Sequence, residues 1–395
     1  MSGGLISVAE AQARLLAMAT PVSSESVPLR QAAGRRAAED IIARRTQPYT
    51  DLSAMDGYAI RYADLPGPLT LIGESAAGHP FAGTINPGET VRIFTGAALP
   101  AGADTVMVQE EVRADGAAIA LIGEGPPRQG ANVRRRGLDF SAGDALVARG
   151  ERLTPARIAL AGAAGHGALA VNRPIRVALI ATGDELVPPG TDAAEGALPE
   201  TNAVMLAALL ADLPVEISDL GIIPDRLDAL TKAFASAHAD LIVTTGGASV
   251  GDHDLVRPAL QAAGGAIDFW RIALRPGKPM LAGTLGDALV VGLPGNPVSA
   301  FVTAQLFVRP LIAALGGARD PLPPTMTATL DKPLPANDKR QDYLRARVDQ
   351  GQVSVAKVQD SSMLRALAAA NCLVIRAPHA PAAAAGDQVQ ILPIA

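Results

Sequence analysis

Three short stretches combine bare backbone with groups that handle phosphate: Thr182-Gly183-Asp184-Glu185, the run TTGGASVGDHD from Thr244 to Asp254, and GLPGNP from Gly292 to Pro297. Glycines let backbone N–H groups approach a ligand closely, and helix starts favour anions. Thr182, Gly183, Gly246, Gly247 and Ser249 are therefore candidate phosphate contacts, while a Gly-Gly after a strand also reads as an ordinary turn. Acids beside a phosphate repel it unless a divalent cation lies between. Mg2+ takes one or two carboxylates together with water and phosphate oxygens, and Glu185 with Asp254 is the preferred pair. Asp252 can stand in for Asp254, and His253 reads as a surface or hydrogen-bonding residue. Asp225 and Asp254 also read as helix N-caps. Arg271, Arg275 and Lys278 follow within one short stretch around Pro276-Gly277, and read either as an anion pocket or as a solvated face.

These residues need elements to hold them. RVALIA, VEISDLGII, DLIVTT and DALVVGL read as strands. NAVMLAALLADL, DRLDALTKAFASAH, DLVRPALQAAG and PVSAFVTAQLFVRPLIAAL, interleaved with them, carry helical spacing. Apolar strands alternating with helices predict a mainly parallel sheet covered on both faces, with ligands beyond the carboxyl ends of its strands. No Gly-x-Gly-x-x-Gly opens a helix, and RPGKP lacks the rest of a Walker loop. Residues 46–140 read as β-rich, and residues 319–395 as a small β domain with strands TMTATL, YLRARV, QVSVAKV, CLVIR and VQILPI. Residues 1–45 open with an amphipathic helix whose start, Ser7-Val8-Ala9-Glu10, fits a capping box. Residues 141–174 hold a short strand and then a helix. The expected fold class is α/β multidomain: a central mainly parallel α/β domain over 175–318, β-rich accessory domains and a C-terminal small β domain.

Composition narrows the partners. The 395 residues are 49% hydrophobic and carry a net charge of −5 without long runs of either sign, so bulk electrostatics disfavour nucleic acid. The single cysteine, Cys372, allows no intrachain disulfide and lies in a strand that reads as buried. No Cys-x-x-Cys or His-Glu-x-x-His suggests a zinc or dithiol site. No signal-peptide pattern appears, and no apolar stretch is expected to reach the roughly 18 residues of a membrane helix. The expectation is a cytoplasmic protein without membrane contact.

Eight stretches in order along nearly the whole chain carry a resemblance: PYTDLSAMDGYAI, IFTGAALPAGADTVMVQEE, ANVRRRGLDF, ATGDEL, TTGGASVGDHD, RPGKPM, GLPGNPVSA and RQDYLRARV. Together they resemble the molybdopterin molybdenumtransferase (molybdenum insertase) family, which includes the C-terminal domain of gephyrin. ATGDEL or TTGGASVGD alone would indicate only the wider molybdopterin-binding domain. The resemblance implies four domains, with 1–45 and 141–174 joined into one, and an elongated homodimer. The site would lie between the α/β domain of one subunit and other domains of its partner.

The implied substrates are adenylylated molybdopterin and molybdate, the products AMP and molybdenum cofactor, with Mg2+ held by Glu185 and Asp254. Lys278, Ser299, Arg345 and Ser361 match the family's molybdate pocket, with Pro294 and Pro297 fixing its loop. Asp56, Thr95 and Asp139 fall in motifs of the second domain, where carboxylates act on protons, position water or hold loops. Asp56, Glu185, Asp225 and Asp254 are the implied catalytic acids. A molybdopterin adenylyltransferase and molybdoenzyme-maturation proteins are the implied partners. An adenylyltransferase activity or a non-catalytic cofactor scaffold are the alternatives. Arg271 and Arg275 depart from the lysines usual in relatives, and Leu138, Arg226, Ser362 and Arg365 also depart from the pattern.

Overall fold

Ile175–Thr182, Leu241–Thr245 and Ala288–Leu293 are apolar almost throughout and buried along nearly their whole length, as strands covered on both faces must be. The computed structural model describes residues 5–192, 195–246 and 255–394, with the backbone alone of Trp270. In it these strands form the middle of a six-stranded sheet in the order Val215–Ile223, Ile175–Thr182, Leu241–Thr245, Ala288–Leu293, Pro279–Leu285, Ala266–Arg271. The first four strands are parallel, and Pro279–Leu285 pairs antiparallel with both Ala288–Leu293 and Ala266–Arg271. The antiparallel pair is absent from the sequence expectation, because charges and glycines interrupt its apolar runs.

Strand periodicity sends alternate side chains to opposite faces. Leu179, Val243 and Val291 pack under the Asn202–Leu210 helix and the helical rod 297–315. Ile180, Ile242 and Val290 pack under Leu227–Ser236 and Val256–Ala262. The rod widens into a π turn at Ala304–Val308, just ahead of Pro310, which has no N–H to offer the carbonyl of Leu306. Gln12 Nε2 donates to that carbonyl at 2.9 Å. Pro297–Leu315 spans 19 residues at a mean hydropathy of 1.7, so an apolar stretch of membrane-span length does exist, contrary to expectation. It is 78% buried as the central rod of a core.

The Val8–Ala17 helix begins as half a capping box. Ser7 Oγ accepts the Glu10 N–H at 3.1 Å, while the Glu10 carboxylate turns to Arg14 at 2.7 Å, one helical turn on. Its apolar face, Val8, Ala11 and Leu15, joins the α/β core. Further on, Ser24–Pro28 pairs with Ala168–Asn172, and Ile41–Ile42 with Ala145–Val147, around a core of Val27, Ile41, Val147, Leu153 and Val171. Residues between these partners form a second six-stranded sheet, from Thr105–Val108 at one edge to Val112–Asp115 at the other.

At the C-terminus all five expected strands are present. Gln341–Asp349, Gln352–Val355, Met326–Leu330, Gln388–Pro393 and Cys372–Arg376 pair in succession, and the last pairs back with the first, closing a small barrel. Cys372 is fully buried there, and burial pushes its thiol up to about 11. Leu274–Arg275 adds a short parallel pairing that joins the barrel to the α/β unit.

Candidate active site at the carboxyl edge of the parallel sheet

From Ile175–Thr182 the chain crosses one face of the sheet to Val215–Ile223, then returns over the other face to Leu241–Thr245. The connections leave the neighbouring strands Ile175–Thr182 and Leu241–Thr245 toward opposite edges of the sheet, which opens a crevice between their carboxyl ends. Ala181 is level with Thr245, and Thr245 with Leu293, so three loops depart from one edge. Gly246 has φ +89°, and a Cβ there would overlap the carbonyl oxygen of Thr182 and lie 3.2 Å from its carbonyl carbon. A Cβ on Gly295 would lie 3.5 Å from the Gly246 Cα. Gly246 is therefore a structural requirement of a crevice floor made of backbone, and Gly295 lies in van der Waals reach of it. Gly247, Ser249, Asp252, His253 and Asp254 lie outside the described residues.

Acids line one end of the crevice. Thr182, 2% exposed, donates its hydroxyl to Asp225 Oδ1, and the Asp225 N–H donates to Asp184 Oδ1 at 3.0 Å. Asp225 is thus not the cap of the following helix. Arg226 takes that position, and its side chain pairs with Asp228 at 2.5 Å. Glu185 folds its carboxylate back over Gly183, where an added Cβ would meet Oε2 at 2.8 Å. Asp184, absent from the sequence-derived set, belongs with these acids, and its only signal is its place between Gly183 and Glu185. All three side chains offer hard oxygen donors, the chemistry of Mg2+, which is satisfied by one or two carboxylates and retains water. Among the described residues no group of three His, Cys, Asp or Glu forms a closed metal cage.

Cations line the other end. Arg271 is level with Pro279, and Leu281 with Gly292, so Arg271 and Lys278 emerge at the same edge as Pro294-Gly295. Both are exposed. Arg275 is a strut instead. It grips Asp342 with two nitrogens, Asp338 at 3.2 Å and the Asn337 amide at 3.1 Å, tying the barrel to the sheet. Its sequence is locally cationic, but its acidic partners lie more than sixty residues away, so the sequence pattern could not disclose the pairing.

Pro294 and Pro297 bracket a loop stitched to the barrel. Asn296 Nδ2 donates to Ser361 Oγ at 3.0 Å, and the Val298 N–H to the Ser361 carbonyl at 3.1 Å. Ser299 is buried in the helix that follows. Arg345, 1% exposed, donates Nη1 to the Asp360 carbonyl at 2.9 Å and Nη2 to the Val358 carbonyl at 3.1 Å, holding the loop that carries Ser361. Burial lowers its guanidinium below the usual arginine range, against the opposing pull of Asp360. Its Nε is buried and unpartnered among the described residues. Ser362 caps Asp360 through its hydroxyl at 2.6 Å and its N–H at 2.9 Å, so that departure shapes the same loop. Asn202, also absent from the sequence-derived set, donates Nδ2 to the Gly295 carbonyl at 2.8 Å. Its helix start is capped by the buried Glu200 carboxylate.

Asp56 and Thr95 form a separate constellation in the β-rich unit. Gly57 is paired with Ile93, which places Asp56 beside Thr95. Asp56 Oδ1 accepts the Thr95 N–H at 2.7 Å and hydroxyl at 2.8 Å. The backbone bond first, then the hydroxyl and the Arg92 charge, hold Asp56 below the usual carboxylate range. Arg92 lies 5.1 Å from the Tyr58 ring centre and 5.0 Å from that of Phe94. Asp139 is exposed and bonded through its backbone to Gln47, apart from this pair. None of the described hydrogen bonds from residues 48–140 reaches the α/β unit.

Three family models match in succession: MoeA N-terminal region (domain I and II) over residues 6–165, probable molybdopterin binding domain over 178–314, and MoeA C-terminal region (domain IV) over 327–394. The molybdopterin molybdenumtransferase of Haemophilus influenzae is 39% identical across 94% of each chain. Molybdopterin molybdenumtransferase 2 of Mycobacterium tuberculosis is 34% identical, covering 93% of this chain and 94% of that protein. The crystal structure of a molybdopterin biosynthesis MoeA protein from Pyrococcus horikoshii superposes with a TM-score of 0.85 at 28% identity, covering 99% of this chain and 100% of that one. With this extent of similarity and an unbroken order of matched regions, the chain belongs to the molybdopterin molybdenumtransferase family.

Proposed function

We propose that the protein inserts molybdenum from molybdate into molybdopterin, acting on the adenylylated form and releasing AMP. The observation that carries this is the meeting of Thr182, Gly246 and Gly295 at the switch point of the sheet, with acids at one end and Arg271 and Lys278 at the other. The backbone floor takes the phosphate link, since bare N–H groups approach an anion without a side chain between. Glu185, together with Asp254, holds Mg2+. An ion held there would neutralise the phosphate link and polarise the phosphorus. Thr182 and Asp184 orient Asp225 toward the same edge. Lys278, Ser299 and Ser361 supply the cation and hydroxyl donors that a tetrahedral dianion takes, and Arg345 adds its unspent Nε.

The Asp56–Thr95 pair comes from the partner subunit of a homodimer, which brings a held, charged carboxylate to the crevice for proton transfer or water positioning. The protein acts in the cytoplasm. An adenylyltransferase supplies its substrate, and molybdoenzyme-maturation proteins take its product. The experiment is AMP release from adenylylated molybdopterin, with and without molybdate and Mg2+. Molybdate-dependent release that yields active cofactor supports the reading. Consumption of ATP with molybdopterin would replace it with an adenylyltransferase, and no turnover of either substrate with a scaffold.

A further inference from the structure

Away from the carboxyl edge, a cavity of about 300 Å3 opens where the N-terminal unit, the α/β rod and the linker to the barrel meet. Gly34, Arg36 and Arg152 form one wall, Arg309 and Ile312 a second, and the Pro321–Pro324 segment a third. Arg36 and Arg152 oppose each other across an isolated antiparallel bridge. Like charges directly opposite destabilise a strand pair. Burial first, and then the Arg152 charge, push the Arg36 guanidinium below the usual arginine range.

Neither arginine forms an ion pair among the described residues, and the one acidic charge felt by Arg152 is that of Asp212. Arg36 Nη1 donates to the Gly150 carbonyl at 2.9 Å and Arg152 Nη2 to the Asp212 carbonyl at 3.1 Å, each spending one N–H on backbone. The Asp212 carboxylate is taken by Arg309, at 2.7 and 2.8 Å. Asp320 also lines the cavity, and forms no ion pair with these arginines among the described residues. Counting Asp212 and Asp320 against the three guanidinium groups still leaves an excess positive charge at the cavity.

We propose that this cavity is a binding site for a phosphoryl group, free phosphate or a phosphate monoester, held between Arg36 and Arg152. Guanidinium forks match phosphate oxygens in a bidentate way, and most of both forks is unspent. A dianion there removes the repulsion across the bridge and ties the N-terminal unit to the rod and linker. The site shares no residue with the sheet-edge crevice, so it stands whether or not the reading of that crevice does.

The test is calorimetric titration of the full chain at low chloride with inorganic phosphate and, separately, AMP. Wild type is compared with Arg36→Gln, Arg152→Gln and Arg36→Lys, each checked for folding by circular dichroism. A phosphate-binding event weakened at least tenfold by both glutamine changes, and less by Arg36→Lys, is expected. Tighter binding of AMP at the same event identifies a monoester, and no gain over phosphate identifies the free ion. Binding at the crevice survives in these variants and is thereby separated. Should the glutamine variants not fold, density for a tetrahedral ion between the two guanidinium groups in phosphate-soaked wild-type crystals decides in favour, and its absence against. Equal phosphate affinity in wild type and folded glutamine variants, or displacement by equimolar chloride, would overturn the proposal.

Discussion

Gly246 rests against the backbone of Thr182 with no room for a side chain between them. Two strand ends are thereby held at backbone contact, and the crevice floor depends on it. Gly246→Ala places a methyl group into the Thr182 carbonyl and forces alanine to a φ of +89°. The left-handed backbone alone costs about 1–2 kcal/mol, and the overlap with main chain adds to it. We expect a lowered urea midpoint and loss of pterin-nucleotide binding. A variant with wild-type stability and affinity would show that the loops need not touch.

Thr95 holds Asp56 through two hydrogen bonds to one oxygen, and both favour the charged carboxylate. Thr95→Ala removes the hydroxyl and leaves the backbone bond. The Asp56 pKa then rises toward its ordinary value, so the carboxylate protonates at higher pH. If a charged Asp56 serves turnover, the acid limb of the pH–rate profile moves to higher pH in Thr95→Ala, and Asp56→Asn abolishes turnover at every pH. A profile that keeps its acid limb in Thr95→Ala would remove Asp56 from that limb.

The architecture was legible where one period ran unbroken. Four apolar strands alternating with helices specified the parallel half of the central sheet, and five short strands specified the barrel. The antiparallel pair Ala266–Arg271 and Pro279–Leu285 was not legible, because charged and glycine positions break its pattern. Gly183, Gly246 and Gly295 lie just beyond strand ends, where their sequence context put them. The partner of each charged group was not legible, because partnership is a long-range matter. Arg275 carries the same local signal as Lys278, yet Arg275 is bound to Asp342 and Asp338 while Lys278 has no ion pair among the described residues. Asp225 read equally as a cap, and only the sheet brings the Thr182 hydroxyl to it.

Arg345 is nearly inaccessible, and two of its nitrogens are committed to the loop that carries Ser361. Arg345→Ala leaves the Val358 and Asp360 carbonyls without their donors. Hydrogen bonds to a charged group contribute about 1.5–3 kcal/mol each, so losing the two is expected to cost about 3–6 kcal/mol in urea denaturation. Arg345→Lys keeps charge without the fork and cannot serve both carbonyls. In that variant molybdate dependence should weaken at least tenfold while nucleotide binding changes little. An unchanged molybdate dependence would confine Arg345 to holding the barrel loop.

Asp240 sits at the opposite edge of the sheet, before Leu241–Thr245, and gathers Arg173 and Arg176. Burial alone would raise its pKa, and is the largest single influence. The bonds from Arg173 at 2.7 and 2.8 Å, and from Arg176 through its guanidinium at 2.8 Å and its N–H at 2.9 Å, together outweigh it. The folded carboxyl therefore lies well below the unfolded value of about 3.9. A depressed pKa gives stability that is fully present above the unfolded value and is lost as pH falls through the folded one. Arg176 is half exposed, so solvent screening reduces its share, and Asp240→Asn is expected to cost about 1–3 kcal/mol at neutral pH. Urea midpoints of wild type and Asp240→Asn, measured from neutral pH downward, should stay separated above about pH 4 and converge below it. Curves that coincide at neutral pH would mean the two arginines contribute nothing net to holding this end of the sheet.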